Sequence, residues 1–135
     1  IKNKIPVLGP LGITPQTVRG KFKSKGKSVR ERNRLLSDAE LLEKFGAFAI
    51  VLECVKSDLS KEITRKITIP TIGIGAGPDC DGQVLVLHDM LGITKDFSPR
   101  FLRRYADLGE SIDGAVKQYI TDVQSGEFPN ADESY

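Results

Sequence analysis

Gly46-Ala47-Phe48-Ala49-Ile50-Val51-Leu52-Glu53-Cys54-Val55 sets six consecutive apolar side chains, Ala47 to Leu52, directly before a carboxylate. A strand with one wet face alternates apolar and polar residues. An unbroken apolar run of this length instead fits a strand covered on both faces, as in a parallel sheet between helices. Three further runs have the same character: Ile5–Gly9, Ile69–Ile74 and Val84–Leu87. The third passes into Gly73-Ile74-Gly75-Ala76-Gly77, and the fourth ends at His88-Asp89.

Helical patterns lie between these runs. Leu35, Leu36, Leu41, Leu42 and Phe45, with Ser37-Asp38 among them, fall near a 3.6-residue period that closes at Gly46 as a C-cap. Ser57-Asp58 reads as the cap of a short helix carrying Leu59, Ile63 and Ile67, stopped by Pro70. Ser98-Pro99 opens a third helical pattern with Phe101, Leu102 and Tyr105. A last helix, from about Ser111 to Ser125, carries Ile112, Val116, Tyr119, Ile120 and Val123 on one stripe. The polar tail from Gly126 to Tyr135 reads as an arm or frayed end.

Four strand–helix alternations argue for βαβ units in right-handed succession. A closed (β/α)8 barrel takes about 250 residues, so 135 residues correspond to about four of its units. The alternative, an open doubly wound sheet of four strands, is allowed by the pattern alone. The domain expectation is a half-barrel over residues 1–125 and a tail over 126–135.

Composition narrows the class. Hydrophobic residues at 39% and charged residues at 28% suit a soluble globular chain. A net charge of +2 does not by itself call for an acidic partner. No stretch approaches the roughly 20 apolar residues of a membrane span, and no signal-peptide pattern opens the chain. Cys54 and Cys80 lack metal-ligand spacing and read as free thiols in a reducing cytosol. The single histidine, His88, excludes a multi-histidine metal site. A start at Ile1 rather than methionine is read as a processed, truncated or partial sequence.

Among residues able to carry chemistry, Glu53 stands out. A carboxylate directly after a buried strand emerges at the C-terminal end, where barrel active sites lie, and partial burial raises its pKa towards that of a working base. A helix-start or solvated-loop carboxylate is the alternative. The glycine cluster Gly73–Gly77 either lets backbone approach a ligand or simply makes a tight passage out of the strand. It lacks the G-x-G-x-x-G spacing that opens a dinucleotide-binding helix. His88 and Asp89 are expected at the same rim, with His88 read as a hydrogen-bonded structural residue. Asp79 and Asp81 read as turn formers. Lys21-Phe22-Lys23-Ser24-Lys25-Gly26-Lys27, continued by Arg30, Arg32 and Arg34, is the one strongly basic patch. With a single aromatic residue it reads as a solvated loop rather than a nucleic-acid surface.

Five stretches in order resemble the second half of the ketopantoate hydroxymethyltransferase family. They are Ile5–Gly9 with Leu11-Gly12-Ile13-Thr14-Pro15-Gln16, then Leu35–Ala39, then Gly46–Val55. Ile69–Gly77 with Asp81–Asp89 follows, and Val123-Gln124-Ser125-Gly126-Glu127-Phe128-Pro129 closes the series. The resemblance implies a (β/α)8 barrel and a large homo-oligomer in the cytoplasm. It implies condensation of 3-methyl-2-oxobutanoate with the one-carbon unit of 5,10-methylenetetrahydrofolate, a step towards pantothenate and coenzyme A. It also implies Mg2+, which a 2-oxo acid chelates through carboxylate and keto oxygens, and Glu53 as the proton acceptor that forms the enolate.

The chain departs from the family at two places. Pro10 stands where the family's Gly-His-Leu-Gly motif has a histidine that contacts the substrate site, and proline can neither donate nor titrate. Gly20-Lys21-Phe22-Lys23-Ser24-Lys25-Gly26 stands where the family commonly reads Gly-Gly-Tyr-Lys-Val-Gln-Gly. The family's Mg2+-binding aspartates lie upstream of Ile5, so metal ligands are expected to be absent from this chain. Three expectations follow: an enzyme fragment or truncated family member inactive without its other half, a non-catalytic relic that binds and completes a partner, and, least favoured, a basic-loop nucleic-acid-binding α/β domain. Partners are a 2-oxo acid and other copies or halves of the family, with neither nucleic acid nor membrane.

Overall fold

The computed structural model describes residues 5–13 and 23–135. The Thr14-Pro15-Gln16 portion of the first motif, Lys21 and Phe22 of the basic patch, and Ile1 lie outside the described residues. The chain divides into two compact units, Ile1–Val84 and Leu85–Tyr135.

The first unit is α/β. Strand β1 (Leu8–Gly12), helix α1 (Val29–Lys44), β2 (Ala49–Glu53), α2 (Ser57–Lys66), β3 (Thr71–Ile74) and β4 (Gly82–Gln83) follow one another. The four strands form one all-parallel sheet in the order β1-β2-β3-β4. Sequential parallel strands joined by helices are the arrangement of consecutive (β/α)8 units, as the apolar runs anticipate.

The core lies between the sheet and its helices. Ile50 and Leu52 of β2, both fully buried, meet Leu35 and Ala39 of α1 and Leu59 and Ile63 of α2. Helix α1 begins earlier than its apolar period indicates. Ser28 caps it, its hydroxyl accepting from the Glu31 amide at 3.2 Å. Gly46 closes it as expected: the Gly46 amide donates to Glu43 and the Ala47 amide to Leu42, a Schellman arrangement. In α2, Lys56 rather than Ser57 occupies the cap position, and no side chain caps it. Ser57 and Asp58 fall inside the first turn, where Asp58 favours the positive end of the helix dipole.

Three expectations are corrected. The first strand runs from Leu8 to Gly12, past Pro10, instead of ending at Gly9. Pro10 does not stop it because of where its nitrogen points. Ile13 donates to the Glu53 carbonyl of β2, so by the two-residue period Leu11 and Gly9 also face β2 and Pro10 faces the open edge. Proline is tolerated there.

The fourth strand is only Gly82–Gln83, and Val84–Leu87 does not extend it. β3 ends at Ile74, and Gly75 and Gly77, both at positive φ, turn the chain away, so no backbone remains to pair with residues 85–87. No helix joins β3 to β4 either. The short return 75–81 runs along the helix-facing side, where a Cβ on Gly73 would sit 3.0 Å from the Cys80 sulfur and from the Gln83 side chain. Any larger residue at 73 would displace this return.

The helix expected from Ser98 does not form. A backbone group that a helix would use is engaged elsewhere: the Tyr105 amide, which a helix would direct to the Phe101 carbonyl, donates to Met90.

The second unit contains a short helix α3 (Leu87–Met90), a long helix α4 (Leu108–Ser125) and a 3-10 turn at Ala131–Glu133. The last helix thus forms as read, three residues longer at its start. Its tail is ordered by a capping box, Asn130 accepting from Asp132 and Glu133 accepting from Asn130. The Phe128 ring meets Tyr119 of α4 edge to face at 5.5 Å.

Removing buried volume between sheet and helices is expected to dominate the stability of the first unit. Ile63→Ala, at a fully buried site, should lower the unfolding free energy by about 2–5 kcal/mol. Arg34→Ala, which loses only an exposed 3.5 Å pair with Asp38, should change it by less than about 0.5 kcal/mol. Urea unfolding of the two variants checks both.

Candidate active site

The sheet has two faces, and the helices cover one of them. Side chains alternate along a strand, so with Ile50 and Leu52 turned to the helices, Ala49, Val51 and Glu53 point to the other face. In a (β/α)8 barrel that second face is the interior. Register then assembles layers across it. Gly12, Glu53 and Ile74 are partners at the C-terminal end of the sheet. Pro10, Val51, Ile72 and Gly82 form the layer beneath. Glu53 and Pro10, singled out separately in the sequence, therefore share one face, one layer apart.

Backbone geometry at this end is tightly determined. Gly12 adopts φ +101°, and a Cβ there would lie 2.2 Å from the Glu53 carbonyl oxygen, so only glycine fits the close approach of β1 to β2. Ile13 donates to that carbonyl at 3.0 Å. The next residue breaks the strand. In a regular parallel strand the N–H and C=O of one residue serve the same neighbour. The Cys54 amide donates to Ile74 of β3 at 2.8 Å, yet its carbonyl accepts from Lys25, on the β1 side, at 2.8 Å. Its φ of +52°, uncommon for a residue with a Cβ, makes this swivel. Two successive carbonyls, of Glu53 and Cys54, thus face the same edge.

Burial raises the Glu53 carboxyl above the ordinary range, because partial removal from water disfavours its charged form. Burial, followed by the adjacent Glu53 charge, raises the Cys54 thiol too. That thiol stays protonated near neutrality, which makes it a poor nucleophile. The site therefore holds one group suited to accepting a proton.

The other candidate residues fall elsewhere. Asp81 accepts from the Thr71 amide and hydroxyl at 2.8 and 3.0 Å, and Asp79 pairs with Lys61 at 2.8 Å. Both act structurally in the turn, as read. Gly77 accepts from the Gln83 side chain at 2.9 Å, which places the glycine cluster in a turn packed on itself. His88 and Asp89 are a correction: they lie in α3 of the second unit rather than at the end of a strand. Of the basic patch, Arg32 bridges Asp58 and Glu62 at 2.6 and 3.0 Å, Arg34 meets Asp38, and Lys25 meets Glu31 at 3.7 Å. These pairs leave no continuous cationic stripe among them. Among the described residues no three His, Cys, Asp or Glu side chains converge as metal ligands.

Sequence reading took Lys25–Lys27 only as part of a basic patch, and missed both its place beside this end of β2 and the Glu31 carboxylate that holds it. Ser28-x-x-Glu31 has capping-box spacing, the one signal that could have drawn attention to it.

Comparison with known proteins is consistent with this architecture. Residues 1–131 match the family model described as ketopantoate hydroxymethyltransferase. A 3-methyl-2-oxobutanoate hydroxymethyltransferase from Chlorobaculum tepidum is 56% identical over 133 residues, covering 97% of this chain and 48% of that protein. The protein of the same name from Syntrophus aciditrophicus is 53% identical, with 97% and 49% covered. That from Caldicellulosiruptor bescii is 53% identical over 137 residues, with 100% and 52% covered. The chain spans about half the length of the curated relatives it matches.

The raised carboxyl makes a signed prediction. A group whose folded pKa exceeds its unfolded value contributes stability that is present below the unfolded value and lost as pH rises through the folded one. Glu53→Gln should therefore raise the urea midpoint at pH 7 and leave it unchanged at about pH 4, near the ordinary glutamate value. A lower midpoint at pH 7 would contradict the burial account.

Proposed function

Because the chain belongs to the ketopantoate hydroxymethyltransferase family, we propose that it forms the base-bearing half of a cytoplasmic hydroxymethyltransferase, with Glu53 as proton acceptor. The substrates are 3-methyl-2-oxobutanoate and, as one-carbon donor, 5,10-methylenetetrahydrofolate. The observation that carries the reading is the place of Glu53. It ends a central strand, points to the face away from the helices, and burial pushes its pKa up.

The chemistry follows from that environment. The C3 proton of a 2-oxo acid is weakly acidic, and a general base works best when its own pKa lies near the working pH. A half-buried carboxylate is a stronger base than an exposed one. Once C3 has lost its proton, the resulting enolate carbon attacks the one-carbon unit. Ile74 and Val51 beside and below Glu53 are only partly exposed, giving the apolar surroundings that keep the carboxylate poorly hydrated.

The Mg2+ that the family resemblance implies would bind the 2-oxo acid. On this reading its ligands come from a complementing N-terminal half, and no cluster of three or more His, Cys, Asp or Glu able to hold a metal ion lies among the described residues. Such a half would also pair with the open edge of β1, and the assembled protein would form a homo-oligomer.

A second reading rests on Pro10. It occupies the face of Glu53 one layer below, where a titratable or donating side chain would reach the same space, and proline supplies neither. A chain that has lost this contact would survive as a non-catalytic half that binds and completes a partner.

The two readings separate in a chimera of this chain with the N-terminal half of the Chlorobaculum tepidum relative, assayed for 3-methyl-2-oxobutanoate turnover with methylenetetrahydrofolate and Mg2+. The enzyme reading expects turnover that falls at least about 100-fold in Glu53→Ala, the lower range for a lost general base. A folded chimera without turnover, restored by Pro10→His, would establish the second reading. The 135-residue chain alone should show no turnover.

A further inference from the structure

We propose that Glu31 is a positioning residue for Glu53, acting through the Lys25–Lys27 segment that grips the backbone immediately beyond the base. The inference rests on reading Glu53 as the base, but it concerns residues that reading does not use.

The chain of contacts is short. One Glu31 carboxylate oxygen accepts from the Gly26 amide at 2.8 Å and the Lys27 amide at 3.1 Å. The other lies 3.7 Å from the Lys25 ammonium. Three donors on consecutive residues thus converge on one carboxylate, and they lower its pKa against the opposing effect of burial. Glu31 is itself fixed, its amide donating to Ser28 at the start of α1. The held segment is also wedged from the other side. A Cβ on Gly26, which has φ +85°, would sit 2.4 Å from the Leu59 side chain of α2.

Lys25 then reaches the site. Its amide donates to Cys54 at 2.8 Å and its carbonyl accepts from Lys56 at 3.0 Å, a parallel bridge opposite Val55. This bridge pairs Lys25 with Val55 beyond the last β1–β2 partners, Gly12 and Glu53. It is also the partner of the swivelled Cys54 carbonyl. A left-handed conformation at a residue with a Cβ persists only where surrounding contacts over-determine it. Here those contacts are the bridge to Lys25 and the Cys54 amide bond to Ile74. Releasing Lys25 lets Cys54 relax towards ordinary strand geometry, which reorients the peptide adjoining Glu53 and opens its carboxylate to water. Glu31 touches none of the reacting groups, so its action is to hold this geometry.

The test needs no turnover. In the 135-residue chain, amide exchange and the carboxyl titration of Glu53 are read by NMR for wild type, Glu31→Ala and Glu31→Gln. Glu31→Ala should accelerate exchange at the Lys25 and Lys56 amides by at least about tenfold, the factor implied by losing one hydrogen bond to a charged group. Exchange at Leu59 and Ile63 in the core should not change. The Glu53 titration midpoint should fall towards that of an exposed glutamate. Glu31→Gln keeps one acceptor oxygen and should move both readouts in the same direction by less. If Glu31→Ala does not fold, the glutamine variant decides, and its failure to move either readout overturns the proposal. Faster exchange with an unmoved Glu53 midpoint also overturns it, because Glu31 would then be structural only. Neither result bears on whether Glu53 is the base, which the chimera assay decides separately.

Discussion

The end of β2 is held from both sides by backbone, and the rest of the first unit is arranged around that grip. Ile13 and Lys25 donate to the successive carbonyls of Glu53 and Cys54, while the Cys54 amide donates to β3. Two carbonyls in a row can serve one edge only because Cys54 is left-handed, and β1 can come close enough only because residue 12 is glycine. The position of one carboxylate therefore depends on constraints contributed by β1, the start of α1, α2 and β3. Hydrogen bonds of this kind contribute modestly one by one. Their value lies in removing alternative placements for Glu53.

Burial on the helix side supplies the stabilisation that such a strained end requires. Ile50, Leu52, Leu59 and Ile63 are all fully buried, and they pin β2 and α2 together two residues from the swivel. The opposite face is less covered. Leu8 and Pro10 remain exposed on it, and among the described residues one edge of β1 has no strand partner. A parallel sheet is ordinarily covered on both faces, so the uncovered face and edge are the places where the proposed complementing half would seat.

The same division between faces gives the proposed base its raised pKa. Glu53 is far enough from the surface for burial to raise its pKa, yet it lies at a strand end rather than in the core. Cys54, its neighbour, is turned into the buried side and made inert by the same effect. Adjacent residues thus acquire different chemical characters from the direction in which the backbone points them.

Parallel strands, intervening helices and the rim position of Glu53 were legible in the sequence. Each depends on a local pattern: apolar runs without alternation, a 3.6-residue period, and a charge following a buried run. The Gly46 cap was legible for the same reason, since helix termination is decided within a few residues. The end of β1, the truncation of β4 and the loss of the Ser98 helix were not. In each, hydrogen-bond partners outside the segment decide the outcome: the edge away from β2 to which the Pro10 nitrogen points, the end of β3 at Ile74, and the Met90 carbonyl that takes the Tyr105 amide. Nor could the sequence place Pro10 and Glu53 on one face, because they are separated by 43 residues, the difference of their numbers, and only strand register brings them together. Local chemistry determined which segments become strands and which carboxylate follows one. Tertiary structure alone decided what surrounds that carboxylate, because burial, register and a left-handed turn held by a remote amide are properties of packed neighbours.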